Sequence, residues 1–168
     1  MSPRTEENAV NADRTANTEQ TADELSITRT VVIAAPRARV WAALTEAEQI
    51  GRWLGQSAEL DLRVGGSGVF TWDEYGPSQI EVTEVQPPAS FGFRWAADVH
   101  TPPTAGQSTL VRFTLVDHPE GTELTVTETG FETLDRDEID QRRLREGNVE
   151  GWRIELGDLA EYLTGTRV

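Results

Sequence analysis

Cysteine is missing from this chain of 168 residues, and so is lysine. Without cysteine there can be no disulfide, thiolate metal site or cysteine nucleophile. Without lysine all 15 basic residues are arginine, a bias that speaks to a GC-rich genome or a salty cytoplasm rather than to activity. Histidine is scarce as well. His100 and His118 both fall in proline-rich loops with no second histidine at ligand spacing, so no metal site is expected. No cofactor is expected either, since the chain has no P-loop and no dinucleotide fingerprint. Gly65-Gly66-Ser67-Gly68-Val69 lacks the last glycine of a nucleophile elbow and reads as a turn. Positive charge is outweighed by 29 acidic residues, for a net charge of −14. Phosphate binding needs clustered cations, so a nucleic-acid partner is excluded, and an anionic membrane surface with it. No apolar run is long enough for a signal peptide or a membrane span, and a cytoplasmic location is expected.

What the chain does have is enough material for one core. Apolar residues make up 37% and include five Trp and five Phe. Residues 1–24, rich in Thr, Asn, Glu and Ala, have too little apolar surface to offset their ordering entropy and read as a disordered tail. A single domain is expected over 25–168.

Leu25, Ile27, Val31 and Ile33 alternate along a first strand, with Arg29 interrupting the apolar face. Pro36 stands where a first helical residue belongs. Val40, Trp41 and Leu44 then make the buried stripe of a short helix. Thr45 and Glu48 have capping-box spacing and open a second short helix bearing Ile50, Trp53 and Leu54. From Gln56 to Gly130 the period is close to two. Strands are expected at Gln56–Leu62, Gly68–Trp72, Gln79–Val85, Ser90–Ala96, Thr109–Val116 and Glu123–Thr129, joined by turns rich in Gly and Pro. Such short connections favour antiparallel neighbours. A last helix is expected from near Asp135 to about Leu163. Its apolar face is Val149, Trp152, Leu156, Leu159 and Leu163, and Gly147 and Gly151 weaken its middle.

Strand parity sorts the side chains. Phe91, Phe93 and Trp95 share a face; so do Val111, Phe113 and Leu115; Phe70 pairs with Trp72. One face of the sheet is therefore aromatic and the other polar, with Arg94 and Arg112 pointing outward. The aromatic face needs a cover, and the last helix carries the only long apolar stripe, so a sheet–helix layer follows. Size limits any cavity between them. At about 24 cal/mol per Å³ of void, a dry pocket of ~300 Å³ costs roughly 7 kcal/mol, comparable to the stability of a whole domain. A real pocket must be small, hydrated, collapsible or filled. Arg29 and Glu128 fall on the inner face. They can pair with each other, anchor a ligand's polar group, or be misplaced by a bulge.

These residues resemble a known group. Ala35-Pro36, Val40-Trp41, Leu44-Thr45 and Trp53 are similar to the opening of the START-like (SRPBCC) superfamily. Within it the likeness is to the branch of the heat-shock-protein-90 ATPase activator C-terminal domain. The run Val82 to Pro88 followed by Phe93 and Trp95, the run Gly121 to Phe131, and Gly151-Trp152 continue the likeness. The resemblance implies an α+β, helix-grip fold: a curved antiparallel sheet wrapped around a long C-terminal helix, with two short helices after the first strand. It implies no shared catalytic set, since members bind lipids, hormones or polyketides and some cyclise polyketides.

The leading expectation is a small hydrophobic ligand, lipid- or polyketide-like, held between sheet and helix by Trp53, Phe70, Trp72, Phe93, Trp95, Phe113, Glu128 and Trp152. A polyketide cyclase-like enzyme is the alternative, with Glu128, Arg29, Tyr75 and His100 as proton-moving candidates. A chaperone partner, met through the acidic surface, is the third reading.

Overall fold

The computed structural model describes residues 25–168. The expected disordered tail lies outside the described residues. Seven strands form one antiparallel sheet: β1 (Ile27–Ile33), β2 (Ser57–Leu60), β3 (Ser67–Trp72), β4 (Gly76–Gln86), β5 (Ser90–Ala96), β6 (Ser108–His118) and β7 (Gly121–Thr129). Their spatial order is β1-β7-β6-β5-β4-β3-β2. Consecutive strands from β2 to β7 are neighbours, as short connections require, and β1 returns to pair with β7. Two short helices, α1 (Arg37–Thr45) and α2 (Ala47–Trp53), lie between β1 and β2. The long helix α3 (Glu138–Thr164) closes the inner face. This is the expected helix-grip arrangement.

Alternation accounts for the layers. Along β7, Thr122, Leu124, Val126 and Glu128 are buried while their neighbours are less so. Along β6, Thr109, Val111, Phe113 and Leu115 are buried. The two rows lie side by side through the pairs Val111↔Glu128, Phe113↔Val126 and Leu115↔Leu124. From α3, Trp152, Leu156, Leu159 and Ala160 come down on them. On the outer face Arg112 meets Glu84 through two hydrogen bonds, 2.7 and 3.3 Å, reaching across Gly92 of the intervening strand. Gly121, at φ +139°, turns β6 into β7 where a Cβ would stand 2.1 Å from the Ile33 carbonyl oxygen. Only glycine fits that corner.

Several local expectations need correction. The capping box of Thr45 and Glu48 does not form. Thr45 is still helical and its hydroxyl donates to the Trp41 carbonyl at 2.8 Å, one turn back. Glu46 therefore becomes the cap residue of α2, without a side-chain cap bond. Pro36 is the N-cap of α1 rather than its first residue, with φ −60° and ψ 149°. Strand β4 starts at Gly76 because the hairpin pairs Trp72 with Gly76 and Thr71 with Pro77, residues that read as a turn. The last helix starts at Glu138, where Asp137 Oδ1 accepts from Asp140 N at 2.9 Å. Before it, Phe131–Thr133 make a 3₁₀ turn that buries Phe131.

Candidate functional site: the opening between the sheet and α3

The aromatic face is filled largely by its own rings. Phe70 meets Phe93 edge-on at 5.4 Å, Phe93 lies 6.2 Å from Phe113, and Trp53 meets Phe113 edge-on at 6.4 Å. Trp53 is further fixed by its indole N–H, which donates to the Ala43 carbonyl at 2.8 Å. Of the expected lining residues, Trp53, Phe70, Phe93 and Phe113 thus sit in the packed core. Each ring pair adds about 0.5–1.5 kcal/mol beyond burial.

Trp72 and Trp95 stand at the margin of that cluster. They are half-buried and border an opening of about 190 Å³. Its wall is completed by Tyr75 and Ser78 from β4 and the turn before it, by Val99 beyond β5, and by Leu144 and Asn148 of α3. The two indoles meet at 87° with centroids 6.0 Å apart. Trp95 also stacks on Trp152 at 5.4 Å. Trp152 links the opening to the core by meeting Phe113 edge-on at 5.7 Å.

Two carboxyl groups flank this row of tryptophans. Glu128 is fully buried at the end of β7. It accepts from Thr109 Oγ1 at 2.6 Å, from Asn148 Nδ2 at 3.1 and 3.0 Å, and from Trp152 Nε1 at 2.9 Å. Burial pushes its pKa up, against the lowering effect of those donors. None of these bonds comes from Arg29, so the mutual ion pair is not formed. Arg29 lies half-buried on β1, and its charge adds to that of Arg153 in lowering the pKa of Glu150 on α3. Glu155 lies two turns beyond Asn148 on α3. Its Oε1 accepts from Trp72 Nε1 at 3.2 Å, while Oε2 is buried without a partner. Burial, with a smaller contribution from Asp158, raises its pKa to about 7.

Leu144, Asn148, Gly151 and Glu155 recur at three- and four-residue steps and so share one helix face. A Cβ at Gly151 would meet no atom within 4 Å, so a side chain there would stand in open space. His100 and Tyr75 are exposed; only Tyr75 borders the opening. A larger hollow of about 750 Å³ lies along β2, β3 and β4, lined by Glu59, Asp61, Gln79 and Glu81 among others. It touches none of the expected lining residues. Among the described residues, no three of His, Asp and Glu converge as metal ligands, and no helix is long and apolar enough to cross a membrane.

Asn148, Thr109 and Glu155 escape a reading of sequence by apolar pattern because they are polar residues, Thr109 buried and the other two half-buried. The one available signal was position: Asn148 and Glu155 lie at helical spacing from Trp152 and Leu159.

The family described as Activator of Hsp90 ATPase homolog 1-like protein matches residues 34–164. This chain belongs to that family. Among solved structures it is similar to a protein from Mesorhizobium loti, with 27% identity and a TM-score of 0.70, covering 85% of this chain and 99% of that one. It is similar to a protein from Mycobacterium smegmatis, with 28% identity and a TM-score of 0.66, covering 88% of this chain and 95% of the other. A protein encoded in the dynemicin biosynthetic locus is 27% identical with a TM-score of 0.66 over 84% of this chain. The chain spans only 48% of that protein's length. No curated protein matches the sequence significantly. Membership of the Activator of Hsp90 ATPase homolog 1-like family, with the START-like fold, is consistent with a ligand-binding or cyclase-like module.

Proposed function

We propose that this protein binds a small hydrophobic or aromatic molecule, lipid- or polyketide-like, at the opening between the sheet and α3. The observation that carries the reading is the pair Trp72 and Trp95 bordering, with Asn148, a 190 Å³ space, Glu128 lying behind Asn148. Apolar walls with a few placed polar groups are the usual make-up of a small-molecule site. Trp53, Phe70, Phe93 and Phe113 support the wall from the core, and Trp152 positions Trp95 and Glu128 together. The similarity to a protein of the dynemicin locus adds weight to a polyketide-like ligand.

A cyclase-like enzyme is the second reading. It is favoured by Glu155, a carboxyl group titrating near 7 beside Trp72, since general acid–base work is best done by a group whose pKa lies near the working pH. A chaperone partner has only the family description behind it and no feature of the site.

Thermal unfolding with a panel of neutral aromatic molecules tests the leading reading. A ligand at a hundredfold excess over its dissociation constant stabilises by about 2.7 kcal/mol, and Trp95→Ala removes the effect. A panel that leaves the melting temperature unchanged at saturating concentration argues against the pocket.

A further inference from the structure

The wall of the opening is unusual in its charge. Three aromatic side chains border it, Trp72, Tyr75 and Trp95, and no arginine does. Its one charged wall residue is Asp98, which reaches out to Arg136 at 2.8 Å. Beyond the wall stand two more acids: Glu128 behind Asn148, and Glu155 beside Trp72. Glu128 has its acceptors occupied by Thr109, Asn148 and Trp152. Glu155 has one oxygen buried and unused.

Aromatic faces carry negative charge density and attract cations, most strongly when the cation has shed its water. Two indoles at a right angle supply a corner in which one group can touch both. Once ionised, the half-buried Glu155 carboxylate next to that corner adds a negative charge where charges interact more strongly than in bulk water. A neutral group of the same shape gains neither attraction. The space of about 190 Å³ is smaller than the ~300–1,000 Å³ of a drug-sized site, so it suits a head group better than a whole molecule.

We propose that the ligand of this pocket carries an organic ammonium head, which seats at the corner of Trp72 and Trp95 with Glu155 as its counter-charge. The inference rests on the reading of this opening as the ligand site and narrows the ligand class. Glu155 also fixes the corner, because its Oε1 holds the Trp72 indole N–H. Trp72 itself joins the two, since it borders the opening and donates its indole N–H to Glu155 at 3.2 Å. The apolar remainder of the ligand passes Leu144 and Val99 toward solvent.

Choline and 3,3-dimethylbutan-1-ol differ by one atom, nitrogen for carbon, and hence by one charge. Their affinities, with 2-naphthol as a neutral aromatic control, are measured by titration calorimetry on the full chain at pH 8, where Glu155 is mostly ionised. The expected result is choline binding at least tenfold tighter than its neutral twin. Glu155→Gln retains the Trp72 acceptor and is expected to remove most of that preference; Trp72→Leu removes one wall of the corner and is expected to reduce it too. Equal binding of the pair, or a preference untouched by both substitutions, overturns the ammonium assignment. Binding of 2-naphthol without a choline preference overturns it while leaving the pocket reading standing. Failure of all three molecules to bind overturns both.

Discussion

Trp152 and Glu128 belong to different layers and are joined by a single hydrogen bond, Nε1 to Oε1, 2.9 Å long. Through it the middle of α3 is fastened to the end of the last strand. The same indole stacks on Trp95 at the opening. Support of the core and shaping of the site are therefore one piece of structure.

Replacement of Glu128 separates the two sides of its energetics. Glu128→Ala leaves the donors of Thr109, Asn148 and Trp152 buried without an acceptor, and a loss of about 3 kcal/mol or more is expected. Glu128→Gln keeps one acceptor and resembles the protonated acid that burial favours; its amide can donate to the Thr109 hydroxyl. A loss of about 1 kcal/mol is expected. Urea midpoints measured at constant slope check the order of the two variants.

Glu155 makes stability depend on pH in an uncommon direction. Its pKa in the folded chain, about 7, lies above the ordinary 4.5. Between those values the folded chain holds a proton that the unfolded chain has released, so stability falls as pH rises through this window and levels off above it. Glu155→Gln is expected to flatten this part of the profile. Unfolding midpoints at half-unit steps from pH 4 to 8 test it, and a Gln variant with an unchanged slope would falsify the assignment.

Gly151 stands inside α3 with open space where a side chain would be. Gly151→Ala is expected to stabilise by about 0.5–1 kcal/mol, because alanine loses less backbone freedom on joining a helix. Circular-dichroism melts of the pair give the shift. A lower melting temperature would show that the glycine is needed for approach of the sheet.

The Arg112–Glu84 pair on the outer face has good geometry but is well solvated. Arg112→Ala is expected to cost less than about 1 kcal/mol, with the difference shrinking in 1 M salt. Denaturant curves at two ionic strengths measure it.

Much of the fold was legible because it is written in periods. The row Phe91, Phe93, Trp95 and the stripe from Val149 through Trp152, Leu156 and Leu159 to Leu163 place sheet and helix without further help. What escaped the pattern depended on competition between local choices. Thr45 had two uses for its hydroxyl, and the turn behind it won over the helix ahead. Glu128 was rightly placed inside, but its partners come from β6 and from α3, elements whose proximity only the folded topology creates. Of the alternatives open for Arg29, a pair with Glu128 is the one the hydrogen bonds of Glu128 leave out. Site membership is harder still, since a tryptophan at the margin of the core and one at its centre look alike in sequence.

The fastening of α3 also dictates the order in which this protein can be completed. Its partners are scattered: Ser26 accepts from Arg145 across 119 positions, and Trp72 donates to Glu155 across 83. Since α3 follows every strand, it leaves the ribosome after the whole sheet. Until it docks, the face bearing Phe91, Phe93 and Phe113 has no lid, and a growing chain presents a broad sticky surface to its neighbours. Slow synthesis or truncation ahead of Trp152 thus threatens this protein through aggregation before it threatens binding.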